Sequence, residues 1–260
     1  MVTIGGSAVI SCNTLTTCRI TAGSSTQILH NNLTNGGISV ARGSISSGFP
    51  VISNNSISGG ETGIYCRSGY ANISGNVVSG CTTGILLSTE EVFGGSWPSF
   101  PIVERNLIIH NDYGIKIALS SRFSAGTATP TLLNNTITDN SVGIYLRQSN
   151  YEASPTITYN NIHNNSDYNL QLSEYTRNDV NATYNWWGTT DSQAINLTIR
   201  DYNYEFDLGK VIFVPFFTEP NPEALPLENP EIPEFPSIIL LPLFVVTSFV
   251  VVVVRRRLVC

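Results

Sequence analysis

Leu132–Arg147 reads LLNNTITDNSVGIYLR, and the pattern in this stretch recurs along most of the chain. Asn135 stands two residues before Ile137; Gly143 follows eight residues after the asparagine, and Ile144 and Leu146 then alternate with polar positions. The first half returns at Asn31/Leu33, Asn55/Ile57, Asn76/Val78, Asn106/Ile108, Asn160/Ile162 and Asn185/Trp187, with a fainter copy at Asn13/Leu15. The second half returns at Ile38, Ile64, Ile85, Ile115 and Leu170. From Asn31 onward the asparagines step by 24, 21, 30, 29, 25 and 25 residues. A period of ~20–50 residues marks a repeat architecture.

Each half is short and alternates apolar with polar residues, which is the period of a strand with one face inward. No copy carries the i, i+3, i+4 spacing of a helix longer than a turn or two. Asparagine and glycine separate the strands, and both tolerate left-handed backbone angles at corners. Pro50, Pro101, Pro130 and Pro155 stand just before strands, where a missing N–H does least harm. One such coil cannot bury its apolar side alone, but stacked coils make a continuous core. The sequence therefore predicts an all-β parallel solenoid of about seven to eight coils over residues 1–188. Stacked at ~4.8 Å, the amides of Asn31, Asn55, Asn76, Asn106, Asn135 and Asn160 come within reach of a hydrogen-bonded ladder.

The pattern over about residues 9 to 188 resembles the right-handed parallel β-helix repeat family, including its NosD-type and pectate-lyase-like members. The resemblance implies a fold and leaves the activity open, because this scaffold hosts lyases, hydrolases, epimerases, adhesins and inert spacers.

The last coil ends in YNWWGTTDSQAINLTIRDYNYEFDLGKVIFVPFF, Tyr184–Phe217. Residues 189–217 read as a C-terminal cap. Trp186 and Trp187 are suited to closing the open end of the core, with a tryptophan-lined ligand site as the alternative. Thr190 and Gln193 have capping-box spacing, and Ile195 and Ile199 lie four apart, so a short helix is predicted from about Asp191 to Tyr202. Val211–Phe217 is predicted as a closing strand. This N-W-W-G…L-G-K-V…P-F run resembles the terminal segment of archaeal members of the family.

Residues 218–236 hold six prolines and five glutamates and read as an extended linker. Ser237–Val254 then carries no charge over eighteen residues and is followed by Arg255, Arg256 and Arg257. That predicts a transmembrane helix over 237–254, partnered by the lipid membrane, with residues 255–260 cytoplasmic and the rod outside the cell. The tripartite tail, Pro233-Glu234-Phe235-Pro236 with the apolar run and the arginines, resembles archaeal sorting signals of the PEF type, which implies an archaeosortase as a partner. Met1–Ser11 lacks the basic start and uninterrupted apolar core of a signal peptide.

Net charge is −6, with thirteen cations against nineteen carboxylates; before the three terminal arginines the balance is −9. Nucleic acid wants a basic face, so it is not an expected partner. Seven N-x-Ser/Thr sequons, at Asn32, Asn54, Asn72, Asn134, Asn164, Asn181 and Asn196, allow glycosylation if the chain is exported. Cys12, Cys18, Cys66, Cys81 and Cys260 have no C-x-x-C spacing; Cys66 and Cys81 fit either a disulfide between neighbouring coils or buried thiols.

Insertions fall at one recurrent position, at Ser88–Phe100, Ser120–Pro130 and Arg147–Pro155. Their rings (Phe93, Trp97, Phe100, Phe123, Tyr151) either stack on sugars or fold back over the wall; the second reading is preferred. Asp112, Asp139 and Asp167 follow the ladder in successive coils and could line one corner near Arg105 or Lys116. Asp favours turns on its own account, so a solvated turn is the preferred reading. His30, His110 and His163 occupy different offsets and make no metal triad. No catalytic, cofactor-binding or metal site is assigned. The sequence thus points to a membrane-anchored, extracellular, non-catalytic scaffold, adhesin or glycan-contacting module that meets polysaccharide; the alternative is a polysaccharide-active lyase, hydrolase or epimerase.

Overall fold

A computed structural model describes residues 2–4, 7–23, 25–41, 48–67, 69–88, 91–92, 95–96, 100–120, 129–149 and 155–224. All of them lie within one compact unit, Met1–Leu227. Three parallel sheets of seven, seven and nine strands form the walls of a solenoid. A typical coil runs Val51–Ser53 in the first wall, Ser56–Ser58 in the second and Thr62–Arg67 in the third. A corner holding Asn55 separates the first two walls, and a second corner, Gly59–Glu61, separates the second from the third.

The register explains the repeat. In-register pairing stacks like on like, so the inward positions form aliphatic columns. The first wall contributes Ile28, Ile52, Ile73, Val103, Leu132 and Ile157. The second contributes Leu33, Ile57, Val78, Ile108, Ile137 and Ile162. The third contributes two columns, Ile38 to Ile199 and Val40 to Leu172. These side chains are buried and constitute a single core. Every coil borrows its apolar partners from the coils above and below, which is why the pattern must repeat.

The first corner carries the predicted ladder, extended by one rung at each end. Side-chain Nδ2 groups donate to the next Oδ1 along Asn13, Asn31, Asn55, Asn76, Asn106, Asn135, Asn160 and Asn185, at 2.9–3.0 Å. The same oxygens also accept the backbone N–H of the preceding rung. Each amide thereby replaces the backbone pairing that the bend interrupts, and Asn31 through Asn185 are buried with their polar groups satisfied.

The left-handed angles fall elsewhere than expected. They belong to the residue before each rung: Cys12, His30, Asn54, Gly75, Arg105, Asn134, Tyr159 and Tyr184. The glycines eight residues after the rung, by contrast, lie in the third-wall strands for a steric reason. A Cβ on Gly114 would stand 2.6 Å from the Gly143 carbonyl oxygen, and Gly63, Gly84 and Gly143 face the same limit from the next coil.

The cap departs from its predicted form in three ways. The helix, α1, spans only Ser192–Leu197, and its N-cap is Asp191 rather than Thr190: Asp191 Oδ1 accepts from Gln193 N at 2.9 Å. Thr198 ends it, and Ile199–Arg200 then joins the third wall as its ninth strand, so the apolar pair Ile195/Ile199 serves a helix and a strand. The closing strand is only Val211–Ile212, paired with Val180–Asn181. Finally, Trp187 alone takes the inward position; it is buried and meets Phe213 edge-on at 6.3 Å, while Trp186 bridges to Asn161. Trp187 therefore packs into the closing end of the core.

Residues 221–224 were expected in the linker, yet they are docked. Asn221 N donates to Asn161 Oδ1, Asn221 Nδ2 donates to Asn134 Oδ1 and the Tyr159 carbonyl, and Thr136 Oγ1 donates to the Ala224 carbonyl. Pro222–Ala224 is a short 3-10 turn with Ala224 buried. The chain thus doubles back along the first corner as a strap, because the outward residues there offer amide and carbonyl partners. The apolar run 237–254 lies outside the described residues, and among the described residues no helix is long and apolar enough to cross a membrane.

Candidate functional site: a polar hollow at the second corner

The second corner has its own ladder, which the sequence reading missed. Asn111, Asn140, Asn165 and Asn169 link Nδ2 to Oδ1 at 2.9–3.0 Å, and Asn111 Oδ1 accepts from Cys81 N. The offset was visible: Asn111, Asn140 and Asn165 each follow a first-corner rung by five. In earlier coils the position holds Cys18, Gly36, Gly60 and Cys81, which hides the regularity.

Here too the residue before each of the first three rungs is left-handed, with φ of 57° at His110, 55° at Asp139 and 55° at Asn164. Asn, Asp and His are the side chains that best tolerate that conformation. Turn sterics thus select polar, hydrogen-bonding side chains, and the stacking of coils lines them up. His110, Asp112, Asp139, Ser141, Asn164 and Ser166, over the inward Asn111 and Asn140, surround an open hollow of about 510 Å³. Thr138 Oγ1 donates to Asp139 Oδ2 at 3.1 Å and so orients one of the two carboxylates. Two carboxylates, an imidazole, an amide and two hydroxyls make a surface of mixed donors and acceptors, suited to vicinal hydroxyl groups.

Of the five residues that the sequence could place at one corner, the structure brings Asp112 and Asp139 together, with His110 beside them. The other three lie apart. Arg105 sits on the first corner, 3.5 Å from Glu223 of the strap. Lys116 projects from the third wall over Tyr113 at 4.7 Å and Tyr145 at 5.3 Å. Asp167 does not line the hollow. The histidines are dispersed: His30 and His110 are at different corners, and His163 is in the second wall. Among the described residues no three His, Cys, Asp or Glu side chains are placed to hold a metal ion together.

Cys66 and Cys81 are both free and buried. Burial pushes the Cys66 thiol up to about 12 and the Cys81 thiol up to about 11. Cys66 fills the third-wall column between Val40 and Leu87; Cys81 points Sγ at the Gly59 carbonyl, 3.2 Å away. Cys260 is outside the described residues, as are Phe93, Trp97, Phe123 and Tyr151. Phe100 folds against Tyr70, which in turn meets Phe49, with ring centroids 5.1 and 5.0 Å apart.

The sequence matches the family described as right handed beta helix region over residues 2–181, and this chain belongs to that family. No curated protein matches it.

Proposed function

We propose that this chain is a membrane-anchored β-helix module, displayed outside the cell, that contacts glycan through the second-corner hollow without turning it over. The observation carrying the non-catalytic reading is the partition of charge. The hollow holds His110, Asp112 and Asp139, while Arg105 and Lys116, the cations nearest in sequence, are committed to Glu223 and to two tyrosine rings. Elimination on an acidic glycan needs a cation positioned at the uronate and at the developing negative charge, and among the described residues none lines the hollow. The anchor rests on the uncharged run Ser237–Val254 and the three arginines after it. An archaeal source, and processing near Pro233-Glu234-Phe235-Pro236 by an archaeosortase, belong to the same proposal through the resemblance of the tail.

The alternative is a polysaccharide-active enzyme, and the shared hollow is the observation that favours it. One experiment separates the two. Full-length chain in lipid nanodiscs is presented to a glycan array and the bound glycans are recovered for mass analysis. The scaffold reading predicts binding of intact glycan, weakened about tenfold by Asp139→Asn or His110→Ala through loss of one or two hydrogen bonds. Shortened chains or new reducing or unsaturated ends, lost in the same variants, establish the enzyme instead.

A further inference from the structure

The cap carries apolar surface where a solenoid end needs none. Between Ile199–Arg200 and Val211–Ile212 the chain makes a loop whose large side chains point outward: Phe206 is 81% exposed, Tyr204 65% and Tyr202 36%. Leu197, at the end of α1, is 80% exposed, and Asn203 Nδ2 donates to the neighbouring Asn196 Oδ1 at 3.0 Å, which ties the loop to that helix end. The loop is held from within. Asp201 is buried, and its carboxylate accepts from Asn203 N and Val211 N, both at 2.9 Å. Backbone bonds Tyr202 N to Gly209 O, Glu205 N to Asp201 O and Leu208 N to Glu205 O complete it. Rings held out by such a frame are already arranged for a partner, at little further entropic cost.

Cations accompany the rings. Lys210 Nζ lies 5.0 Å from the Tyr202 ring and the Arg200 guanidinium 5.1 Å from the Tyr204 ring, although the chain has only ten cations before its terminal arginines. Arg200 also pairs with Glu205 at 3.3 Å. Asp201, Glu205 and Asp207 outnumber these two cations, so it is the exposed tyrosine, phenylalanine and leucine side chains, rather than charge, that match a bilayer's headgroup level, with the rings toward the acyl boundary. The tether permits this placement. Ala224 is bonded to Thr136, two coil spacings or ~10 Å along the rod from the ninth third-wall strand. The twelve residues from 225 to 236 reach ~35 Å, well beyond that.

We infer that the cap loop around Tyr202, Tyr204 and Phe206 is a lipid-contacting surface that seats the C-terminal end of the rod on the bilayer holding the tail. This rests on the membrane reading above. The test uses full-length chain in phosphatidylcholine vesicles containing some phosphatidylglycerol, with or without bromine on the acyl chains. Phe206→Trp reports on the loop; Val9→Trp, at a 63% exposed site in the first coil, reports on the far end. The emission added by Phe206→Trp over the native tryptophans drops by about half in brominated lipid, and that added by Val9→Trp stays constant. Leu197→Asp leaves flotation intact and restores the Phe206→Trp emission. If the chain floats with the vesicles but Phe206→Trp is not quenched, or is shielded only on adding glycan or protein, the cap inference is wrong and the anchor stands. If the chain does not float, both are wrong.

Discussion

The two corners solve the same bend with different completeness. At the first, an asparagine stands in every coil from Asn13 to Asn185, and each amide bonds the next. At the second, amides bond from Asn111 through Asn169, while Gly36 and Gly60 supply none and Cys81 offers only a weak S–H donor. The first-corner rungs from Asn31 to Asn185 are 0–2% exposed and the second-corner rungs 3–8%, so a polar group left unmet at the first corner is cut off from water more fully. The second precedes the long third-wall strands, whose pairing runs through Thr62–Arg67 and Thr83–Ser88 and carries the coil interface in the amides' absence. An amide ladder is therefore obligatory at one bend and supplementary at the other.

The sharpest way to break that contrast is to remove a central rung. Asn135→Ala leaves the Asn106 backbone N–H unmet in the interior and takes a side-chain donor from the Asn160 oxygen and the Val103 carbonyl, and is expected to cost about 4 kcal/mol in urea unfolding. Asn169→Ala, at the end of the second ladder beside Thr198, should cost about half as much. Gly114→Ala probes the coil spacing shared by both: its Cβ would meet the Gly143 carbonyl oxygen, with an expected loss of about 2 kcal/mol.

The thiols sharpen the comparison at high pH. Cys66 holds its proton more tightly folded than unfolded, so its contribution is complete below the unfolded thiol range and fades as pH climbs from about 9 toward about 12. Up to about 1.4 kcal/mol per pH unit is expected in that window and is removed by Cys66→Val. Its urea midpoint followed from pH 8 to 11 measures the difference. The smallest effect is a gain. Cys81 Sγ already faces the Gly59 and Ser79 carbonyls, so Cys81→Asn supplies a donor to them and to Asn111 Oδ1. It should stabilise the fold by about 1 kcal/mol.

Most of the column was legible because its signals repeat: Asn135 with Ile137, Gly143 with Ile144, and each of these stacked on its counterparts. What a single copy carries was read less well. The helix start went to Thr190 on a spacing rule, although Asp191 is the stronger acceptor and sits one residue nearer Gln193 N. The strap over Asn134 and Asn161 could not be seen, because proline content says that residues 218–224 are not helical and says nothing of what their carbonyls and amides meet. The hollow was half-read. The aspartates at Asp112 and Asp139 were noticed as turn residues, but their gathering with His110 and Asn164 depends on three turns falling in phase, which differing insertion lengths obscure in the sequence.

The ladder can be tested without changing its shape. Asn106→Asp is isosteric: its carboxylate still accepts from Asn76 N and Nδ2 but cannot donate to Asn135 Oδ1, against which it is repelled. Urea unfolding against the native chain should show a loss of about 3 kcal/mol at pH 7. That deficit should narrow as pH falls through the raised range of a buried carboxyl, because the protonated acid regains a donor. Equal urea midpoints for the two chains at pH 7 would contradict the claim that amides at this bend hold the coils together.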